Sequence, residues 1–374
     1  MFFPVTVEEK DKFGWKELDV ILISGDTYID SPYIGTSIIA NLLFKHGYRV
    51  GVIAQPDINS DEIAKLGEPR LFWGVSAGSV DSMVANYTAL KKKRKSDDFT
   101  PGGLNNRRPD RATLVYTNLI RKYFKNTKPV ILGGIEASLR RIPHYDYWDD
   151  KLRRSILFDA KADLIVYGMA EKAIIEVADK LKNGSDFSDV KGICYISKEP
   201  PKDYLELPSY EEVKMDKDKF TLMFNSFYKN NDPVTGKGFY IKHGDRYLIQ
   251  NPPQLPLSES EIDSVYNLNY LRDAHPYYQK QGAIKALETI KFSINTHRGC
   301  YGECNFCAIS VHQGTTISSR SEKSIIDEAT VISKLPGFKG YILDVGGPTA
   351  NMYGIECTKK IKHGSCLYKR CIFP

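Results

Sequence analysis

The sequence predicts an α/β protein whose first half is a doubly wound parallel sheet. Short apolar runs alternate with amphipathic stretches between residues 1 and 185, which is the pattern of strands covered by helices on both faces. The 374-residue length suits two or three domains. Hydrophobic residues at 42% and charged residues at 26% are typical of a globular chain and argue against disorder.

Five strands and five helices are predicted in this first half. Helices are expected between Tyr33 and His46, and then from about Asp61, Asp81, Asp110 and Glu171. The strand candidates are VILIS (20–24), RVGVIA (49–54), LFWGVSA (71–77), PVILGG (129–134) and LIVYGM (164–169). We therefore predict a five-stranded doubly wound domain over residues 1–185.

Residues 186–285 are predicted to form a connector with a small sheet. Proline-rich stretches interrupt short β-like pieces, of which FYIKHGDRYLIQ suits a hairpin turning at His243, Gly244 and Asp245. From Ile290 the βα rhythm resumes with FSINT, a cysteine loop, a helix with Ser321 as its N-cap, and the strand GYILDV. Two βα units cannot close a barrel, so residues 286–374 are expected to be an incomplete third domain, truncated at its carboxyl end.

Charge and hydropathy exclude several classes of protein. The 52 Lys and Arg residues exceed the 46 Asp and Glu residues by +6, an excess too small to require nucleic acid or an anionic membrane. No apolar run reaches the roughly 18 residues that span a bilayer, and the amino terminus lacks the pattern of a secretion signal. We expect a cytoplasmic protein with no membrane partner.

The cysteines are concentrated near the carboxyl end of the chain. Only Cys194 lies outside this region, and the remaining six are Cys300, Cys304, Cys307, Cys357, Cys366 and Cys371. In a reducing compartment such clustering favours metal binding over disulfides. Cys194 lies in an apolar run and is interpreted as a buried strand residue.

Cys300, Cys304 and Cys307 form a C-x3-C-x2-C loop directly after a predicted strand. Three thiolates on so short a loop can each hold one iron of a cubane and leave the fourth iron open to a ligand. Gly299 permits the tight backbone, as does Gly302, and Arg298 places positive charge near thiolates that must stay deprotonated.

Zinc is the alternative metal for this loop, with His297 or His312 as the fourth ligand beside the three cysteines. Cys357, Cys366 and Cys371 could hold a second metal, although their spacing matches no compact motif and reduced thiols explain them equally.

The cysteine loop, with aromatic Phe306 before its last cysteine, resembles the signature of the radical S-adenosylmethionine (SAM) superfamily. Nearly the whole chain resembles the YgiQ-like family within it, through the segments DYWDDKLRRSIL, QNPPQLPL, HRGCYGECNFCAISVHQG and DVGGPTANMYG. The resemblance implies a [4Fe-4S] cluster on the three cysteines, SAM on its fourth iron, and Phe306 beside the adenine.

The same resemblance implies that the third domain is the start of a partial (β/α)6 barrel. It implies reductive cleavage of SAM to a 5′-deoxyadenosyl radical that acts on an unidentified substrate, with a reductant such as flavodoxin or ferredoxin. Gly346 and Gly347 end the predicted strand GYILDV, where missing side chains let a ligand approach the backbone. The resemblance assigns this pair to SAM, although Pro348 replaces the usual following acid and leaves Asp344 as a weak substitute; a simple turn is the alternative.

A second resemblance concerns the first domain. The loop from Asp30 to Gly35 resembles the D-x-H-x-x-G loop of cobalamin-binding domains, and GGIEAS (133–138) and YGMAEK (167–172) stand at matching later turns. Pro32 replaces the histidine that would coordinate cobalt. The alternative to cobalamin binding is therefore a domain that keeps only the fold.

The stretch Lys91 to Lys95, with Arg107, Arg108 and Arg111, is the one concentrated basic patch. It could contact RNA phosphates, but nearby aspartates dilute it and favour a solvated surface. The aromatic stretch from His144 to Trp148 suits a pocket wall and a packed loop equally.

Three hypotheses follow from the sequence. The first is a radical SAM iron–sulfur enzyme. The second is a non-catalytic binding module that needs a polypeptide carrying the rest of the barrel. The third is a zinc-stabilised RNA-binding protein.

Overall fold

The computed structural model describes residues 1–348, 350–355, 357–366 and 371. The strands in this part of the chain are β1 (Val20–Ser24), β2 (Ile29–Asp30), β3 (Val50–Ala54), β4 (Phe72–Ser76), β5 (Val130–Gly133), β6 (His144–Asp146), β7 (Lys151–Arg153), β8 (Leu164–Val166), β9 (Ile193–Ser197), β10 (Leu205–Leu207), β11 (Phe239–His243), β12 (Arg246–Gln250), β13 (Asp273–Ala274), β14 (Ser293–Asn295), β15 (His297–Arg298), β16 (Ser318–Ser319) and β17 (Asp344–Gly346).

The helices alternate with these strands. They are α1 (Val7–Lys12), α2 (Gly35–Lys45), α3 (Ser82–Asn86), α4 (Ala112–Tyr123), α5 (Gly134–Leu139), α6 (Ile156–Asp159), α7 (Glu171–Lys182), α8 (Tyr210–Met215), α9 (Lys217–Lys229), α10 (Glu259–Tyr266), α11 (Pro276–Gln279), α12 (Leu287–Ile290), α13 (Ile309–Gln313), α14 (Glu322–Ile332) and α15 (Thr358–His363). Short 3-10 turns cover Glu62–Ala64 and Pro101–Gly103.

A nine-stranded sheet, ordered β10-β11-β12-β9-β8-β5-β4-β1-β3, forms the centre of the molecule. The five strands β3, β1, β4, β5 and β8 run parallel, which confirms the predicted α/β class and the doubly wound sheet. The chain passes from β1 to β3 on one side and then crosses to β4 on the other. This reversal opens a crevice at the carboxyl ends of β1 and β4, where ligands bind in sheets of this kind.

Both faces of the sheet are buried. Ile21 and Ile23 of β1 pack into one core cluster, whereas Val20 and Leu22 pack into a second cluster on the opposite face. Successive side chains of a strand point to opposite faces, so a strand buried on both sides must be apolar throughout. The uninterrupted apolar run VILIS is explained by this position.

One predicted helix is much shorter than expected. The helix expected from about Asp61 is a single 3-10 turn, Glu62–Ala64. Gly67 and Pro69 follow three and five residues after Ala64, and both residue types end helices. The helix expected from Asp81 is α3, whose first amides Met83 N–H and Val84 N–H donate to the Asp81 carboxylate.

The segment predicted as a connector contributes strands to the central sheet. The hairpin of β11 and β12 is confirmed, with Gly244 in its turn at a φ of 61°. Its strands do not form a separate sheet, because β12 pairs with β9 and β9 pairs with β8. Covering β8 in this way removes an edge of unpaired backbone groups. The domain boundaries at residues 185 and 285 stay a prediction, since the sheet runs across the first of them.

The carboxyl-terminal segment contains one βα unit after β14. The cysteine loop follows β14, α14 leads back, and β17 pairs in parallel with β14. Ser321 is the N-cap of α14, as predicted, because its hydroxyl accepts the Ser324 N–H at 3.1 Å. Asp263 of α10 accepts both the Ser321 N–H and its hydroxyl, which attaches α14 to the preceding segment.

Across the described ranges, every helix is too short or too polar to cross a membrane.

The last residue of β11, His243, is enclosed by aromatic rings. Its ring stacks on Phe158 at a centroid distance of 4.3 Å and on Tyr210 at 5.3 Å. Neither ring nitrogen has a hydrogen-bond partner within the described residues. Burial, followed by the charges of Arg154 and Arg246, lowers the pKa of His243 to about 3. His243 is therefore neutral in the folded protein.

This burial predicts a pH-dependent stability. An unfolded histidine has a pKa of about 6.5, so between pH 6.5 and 3 the unfolded chain binds a proton that folded His243 does not. The free energy of unfolding should fall as pH drops through this window, by up to about 1.4 kcal/mol per pH unit from this group. Urea denaturation at pH 6.5 and 5.5 measures this change in the free energy of unfolding, which should be smaller for His243→Phe than for the unchanged chain. The variant His46→Leu, at an exposed position, should show the same change as the unchanged chain. An equal change in all three proteins would contradict the prediction.

Candidate active site

The cysteine loop follows β15 and spans residues 299–308. Gly299 has a φ of 89°, and a Cβ at this position would lie 2.2 Å from the Thr316 carbonyl oxygen. Only glycine fits such a turn. The Cys300 N–H donates to the Gly314 carbonyl at 3.0 Å, which fixes the start of the loop against α13.

Two of the three thiols of the loop border the same glycine. A Cβ on Gly302 would lie 3.3 Å from the Cys300 sulfur and 3.7 Å from the Cys304 sulfur. Cys300 is buried, Cys304 is exposed and Cys307 is half-buried. Within the described residues, no three His, Cys, Asp or Glu side chains converge on a metal position. By chemistry the donor set fits an iron–sulfur cluster, since three thiolates leave one iron open.

Phe306 lies at the tip of the same loop. Its side chain is 93% exposed, which places an aromatic ring in solvent beside the cysteines. The predicted contact between this ring and the adenine of SAM stays a prediction.

Gly346 ends β17 and Gly347 follows it, next to β14, the strand that leads towards the cysteine loop. Asn295 of β14 is opposite Gly346, and the Thr296 N–H donates to the Gly346 carbonyl at 2.8 Å. A Cβ on Gly347 would lie 2.1 Å from the His297 Nε2 atom. Gly347 is therefore required for β17 to pass against the His297 ring, whatever else the pair contacts.

A cavity of about 700 Å³ lies at the carboxyl ends of β1, β4, β5 and β8. Its volume is in the range of sites for small organic molecules. The sheet side of its wall is mostly aliphatic and includes Leu22, Val75, Ile131, Val166 and Ile174. The other side comes from the cysteine segment and β17, through Arg298, Ala308, Ile309, His312 and Gly347. The crevice of the sheet and the last residue of the cysteine loop, Ala308, thus border one cavity.

Arg298 and Glu171 join the two sides of this cavity. The Arg298 Nη1 atom forms an ion pair with Glu171 Oε1, and Arg298 Nε donates to the Tyr266 hydroxyl at 3.0 Å. Burial acts to lower the pKa of Arg298, but the Glu171 carboxylate outweighs burial and raises it. Arg298 is charged and paired with Glu171, which differs from its predicted role beside the thiolates.

Comparison with known proteins identifies the family. Residues 2–293 match the model of the family described as Radical SAM N-terminal. The chain belongs to this family.

Curated relatives of this radical SAM chain are longer than the chain itself. A UPF0313 protein of Fusobacterium nucleatum is 58% identical over the whole chain, and one of Thermotoga neapolitana is 52% identical. The chain spans 66% of the length of each of these two relatives. A UPF0313 protein of Clostridium botulinum is 48% identical, and 59% of its length is covered.

Solved structures of radical SAM enzymes resemble the chain more distantly. One is the methyltransferase TsrM of Kitasatospora setae, solved with a tryptophan substrate and a SAM analogue bound. Its TM-score is 0.44 and its sequence identity is 16%, and the match covers 84% of this chain and 45% of the TsrM chain. Another is the cobalamin-dependent enzyme OxsB, solved with aqua-cobalamin and SAM bound. Its TM-score is 0.41 and its sequence identity is 13%, and the match covers 87% of this chain and 33% of the OxsB chain.

The two histidines proposed as zinc ligands occupy different surroundings in this family member. His297 Nδ1 lies 2.9 Å from the Thr296 hydroxyl, and burial lowers its pKa. Burial also lowers the pKa of His312 to about 4, with a further contribution from the Arg141 charge. Both rings are therefore neutral near pH 7 and border the cavity.

The other cysteines are separate from the loop. Cys194 is fully buried in β9, and burial raises the pKa of its thiol to about 12, which agrees with its interpretation as a strand residue. Cys357, Cys366 and Cys371 do not converge on a metal position within the described ranges. Lys359 Nζ lies 3.4 Å from the Cys366 sulfur, an ammonium–thiol contact that sequence spacing did not indicate.

The loop that resembles cobalamin-binding domains has a structural role in this family member. The buried Asp30 carboxylate accepts hydrogen bonds from the Ser37 hydroxyl at 2.7 Å, Asn41 Nδ2 at 2.9 Å and the Leu271 N–H at 2.8 Å. It thereby holds the first turns of α2 in place. Pro32 lines the cavity and offers no atom that could coordinate cobalt.

The basic stretch is partly neutralised by the fold. Arg108 is buried, with Asp26 at 2.8 Å and Asp97 at 3.1 Å, a role that the run of charges did not reveal. Arg111 is paired with Asp146 at 2.8 Å. The aromatic stretch that begins at His144 forms the hairpin β6–β7 around this aspartate. RNA binding stays a prediction that depends mainly on the lysines.

The contact between Gly347 and His297 predicts different effects for the two glycines of β17. Gly347→Ala should displace β17, because its Cβ would overlap the His297 ring, at a cost of about 1–3 kcal/mol. Hydrogen exchange at β14 and β17 should accelerate about tenfold or more. Gly346→Ala is the control, since its Cβ would meet only Asp344 side-chain oxygens at 3.7 and 4.0 Å. Equal hydrogen-exchange protection of β14 and β17 in both variants would contradict the requirement for glycine at position 347.

Proposed function

We propose that the chain is the cofactor-binding part of a radical SAM enzyme. One observation carries the proposal: β14, which leads to the three-cysteine loop, pairs with β17, and both segments reach the cavity, the loop through its last residue Ala308 and the strand end through Gly347. Membership of the Radical SAM N-terminal family supports it.

In this proposal Cys300, Cys304 and Cys307 hold a [4Fe-4S] cluster, and Gly346 and Gly347 lie along the bound SAM. The reduced cluster would supply the electron that cleaves SAM to methionine and a 5′-deoxyadenosyl radical, and flavodoxin or ferredoxin is the proposed reductant.

The chain's own residues would position SAM and exclude water. Gly347 brings the β17 backbone to the edge of the cavity without a side chain in between. The aliphatic ends of the strands keep the cavity interior apolar, which excludes water from the site. Phe306 would contact the adenine, and the bound SAM would cover a ring that is now exposed to solvent.

The relatives' greater length supports a second part of the proposal. Val345 of β17 is 55% exposed, and β14 and β17 form only a two-stranded sheet in the described chain. Two strands cannot enclose a ligand, whereas a barrel closes around one. We therefore propose that SAM cleavage needs a polypeptide that supplies further barrel strands.

Cobalamin is the alternative occupant of the cavity, suggested by the cavity's position at the switch point of the sheet. Pro32 supplies no side-chain ligand for cobalt, so any corrinoid would bind without that ligand. Co-elution of hydroxocobalamin with the chain on gel filtration would support this alternative and would argue against an uncharged apolar ligand in the cavity, because cobalamin carries a phosphodiester. A corrinoid-free protein fraction would exclude cobalamin.

The cluster assignment predicts the effect of removing one thiol. Anaerobic reconstitution with iron and sulfide should give a coloured protein with a reduced EPR signal, and Cys304→Ala should lose both, because three thiolates are required. Cys194→Ala is the control, since this thiol is buried in β9 and should leave iron and sulfide content unchanged. A colourless protein that binds stoichiometric zinc would instead support the zinc alternative.

The need for further strands predicts a difference between two lengths of chain. The 374-residue chain should bind the cluster, yet release 5′-deoxyadenosine only when it is extended by the region of the Fusobacterium relative that it does not cover. Chromatography of the products after dithionite reduction measures this release. A fully active 374-residue chain would refute the requirement but leave the cluster assignment intact.

A further inference from the structure

The cavity at the carboxyl ends of the sheet contains charges that are already paired. Among the described residues, its charged lining side chains are Asp26, Asp81, Glu171, Arg298 and Asp344. Asp26 is paired with buried Arg108, and Asp81 is paired with Arg140. Glu171 and Arg298 neutralise each other. Asp344 is exposed. A ligand inside this cavity therefore meets no unbalanced positive charge from its lining.

Two of the turns at the strand ends, those after β4 and β8, use their own hydrogen-bond donors. A phosphate group in a doubly wound fold commonly binds to the N–H groups of such glycine-containing turns. Here the Gly78 N–H donates to the Ser76 hydroxyl at 3.1 Å, and the Gly168 N–H donates to the Ser138 hydroxyl at 3.1 Å. The Ser79 N–H donates to the Asp26 carboxylate at 2.6 Å. Side chains thus occupy positions where an anion would bind, and one of them is itself an anion.

We propose that this cavity binds an uncharged, largely apolar molecule, the substrate of the reaction, and excludes nucleotides and other phosphate-bearing ligands. The aliphatic wall gives favourable contacts to such a molecule, because its apolar surface leaves water on binding. An anion would lose its hydration without gaining a cation in return, and the Asp344 carboxylate would repel it. This inference depends on the proposed function only where it calls the bound molecule the substrate.

The Arg298–Glu171 pair defines the polar end of the cavity. The pair is joined through Arg298 Nη1 and Glu171 Oε1, while Nη2 and Oε2 have no hydrogen-bond partner in the described part of the chain. Both residues are more than nine-tenths buried. One remaining donor and one remaining acceptor with no net charge match a hydroxyl or amide group. His297 Nε2 and His312 Nδ1 also line the cavity without a hydrogen-bond partner in the described part of the chain. The ligand would therefore carry at least one such neutral group on an apolar body.

Two matched probes test the charge preference. N-phenyl-1-naphthylamine is uncharged and carries one N–H group, and 1-anilinonaphthalene-8-sulfonate has the same rings with an added sulfonate. Fluorescence titration of the 374-residue chain, without cluster or SAM, should show saturable binding of the neutral probe. The sulfonate should bind at least about tenfold more weakly, a difference of about 1.4 kcal/mol. Equal or tighter binding of the sulfonate, or displacement of the neutral probe by ADP, would overturn the proposal.

Two leucine substitutions locate the probe. A Cβ on Gly133 would meet only the Val166 carbonyl oxygen, at 3.8 Å, and a Cβ on Gly35 would meet nothing within 4 Å, so both positions can accept a side chain. Both residues line the cavity. Gly133→Leu and Gly35→Leu should each weaken binding of the neutral probe about tenfold, with unchanged circular dichroism. Ala89→Leu, at an exposed position outside the cavity, is the control.

The outcomes separate this inference from the proposed function. If both folded leucine variants bind the probe as tightly as the unchanged chain, the inference fails, whatever the iron content of the reconstituted protein. If the probe binds as expected but no cluster forms, the cavity assignment stands and the radical SAM proposal fails.

Discussion

The buried ion pair of Arg298 and Glu171 is the contact on which the candidate site depends. Glu171 is the first residue of α7, and Arg298 stands two residues before the first thiol of the cysteine loop. Their pairing therefore sets the position of the loop relative to the parallel sheet. A buried pair is costly to form because both charges lose water, but removing one partner leaves the other uncompensated and costs about 3–5 kcal/mol. The Tyr266 hydroxyl adds a hydrogen bond to Arg298, so the guanidinium is held from two sides.

Local periodicity was sufficient to predict much of the fold. The five parallel strands, the hairpin β11–β12 and the Ser321 N-cap depend on short-range signals, namely apolar runs, turn residues and a capping hydroxyl. The pairing of β9 with β8 was not predicted, because strand pairing is decided between segments far apart in the chain. The prediction of a helix from Asp61 was wrong in length, because Gly67 and Pro69 end helices and leave room for only one 3-10 turn before them.

The candidate site was predictable only in part, for a similar reason. Spacing identified the cysteine loop, since its three thiols lie within eight residues. Contacts between residues far apart in the sequence could not be predicted from spacing. Arg108 was interpreted as part of a basic surface, yet it is buried against Asp26. The loop from Asp30 to Gly35 and the turns at 133–138 and 167–172 indicated the sheet side of the cavity, and residues from all three segments line it. Its other wall was missed, because that wall comes from the cysteine segment and the end of β17. No single stretch of sequence contains that arrangement.

The exposed ring of Phe306 has a thermodynamic consequence. Moving a phenylalanine side chain from water into an apolar contact is favourable by about 2 kcal/mol, which corresponds to a factor of roughly 30 in an equilibrium constant. Any molecule that covers this ring gains that free energy. Removing the ring would therefore weaken the affinity for such a molecule by a similar factor, without any change in the thiols beside it.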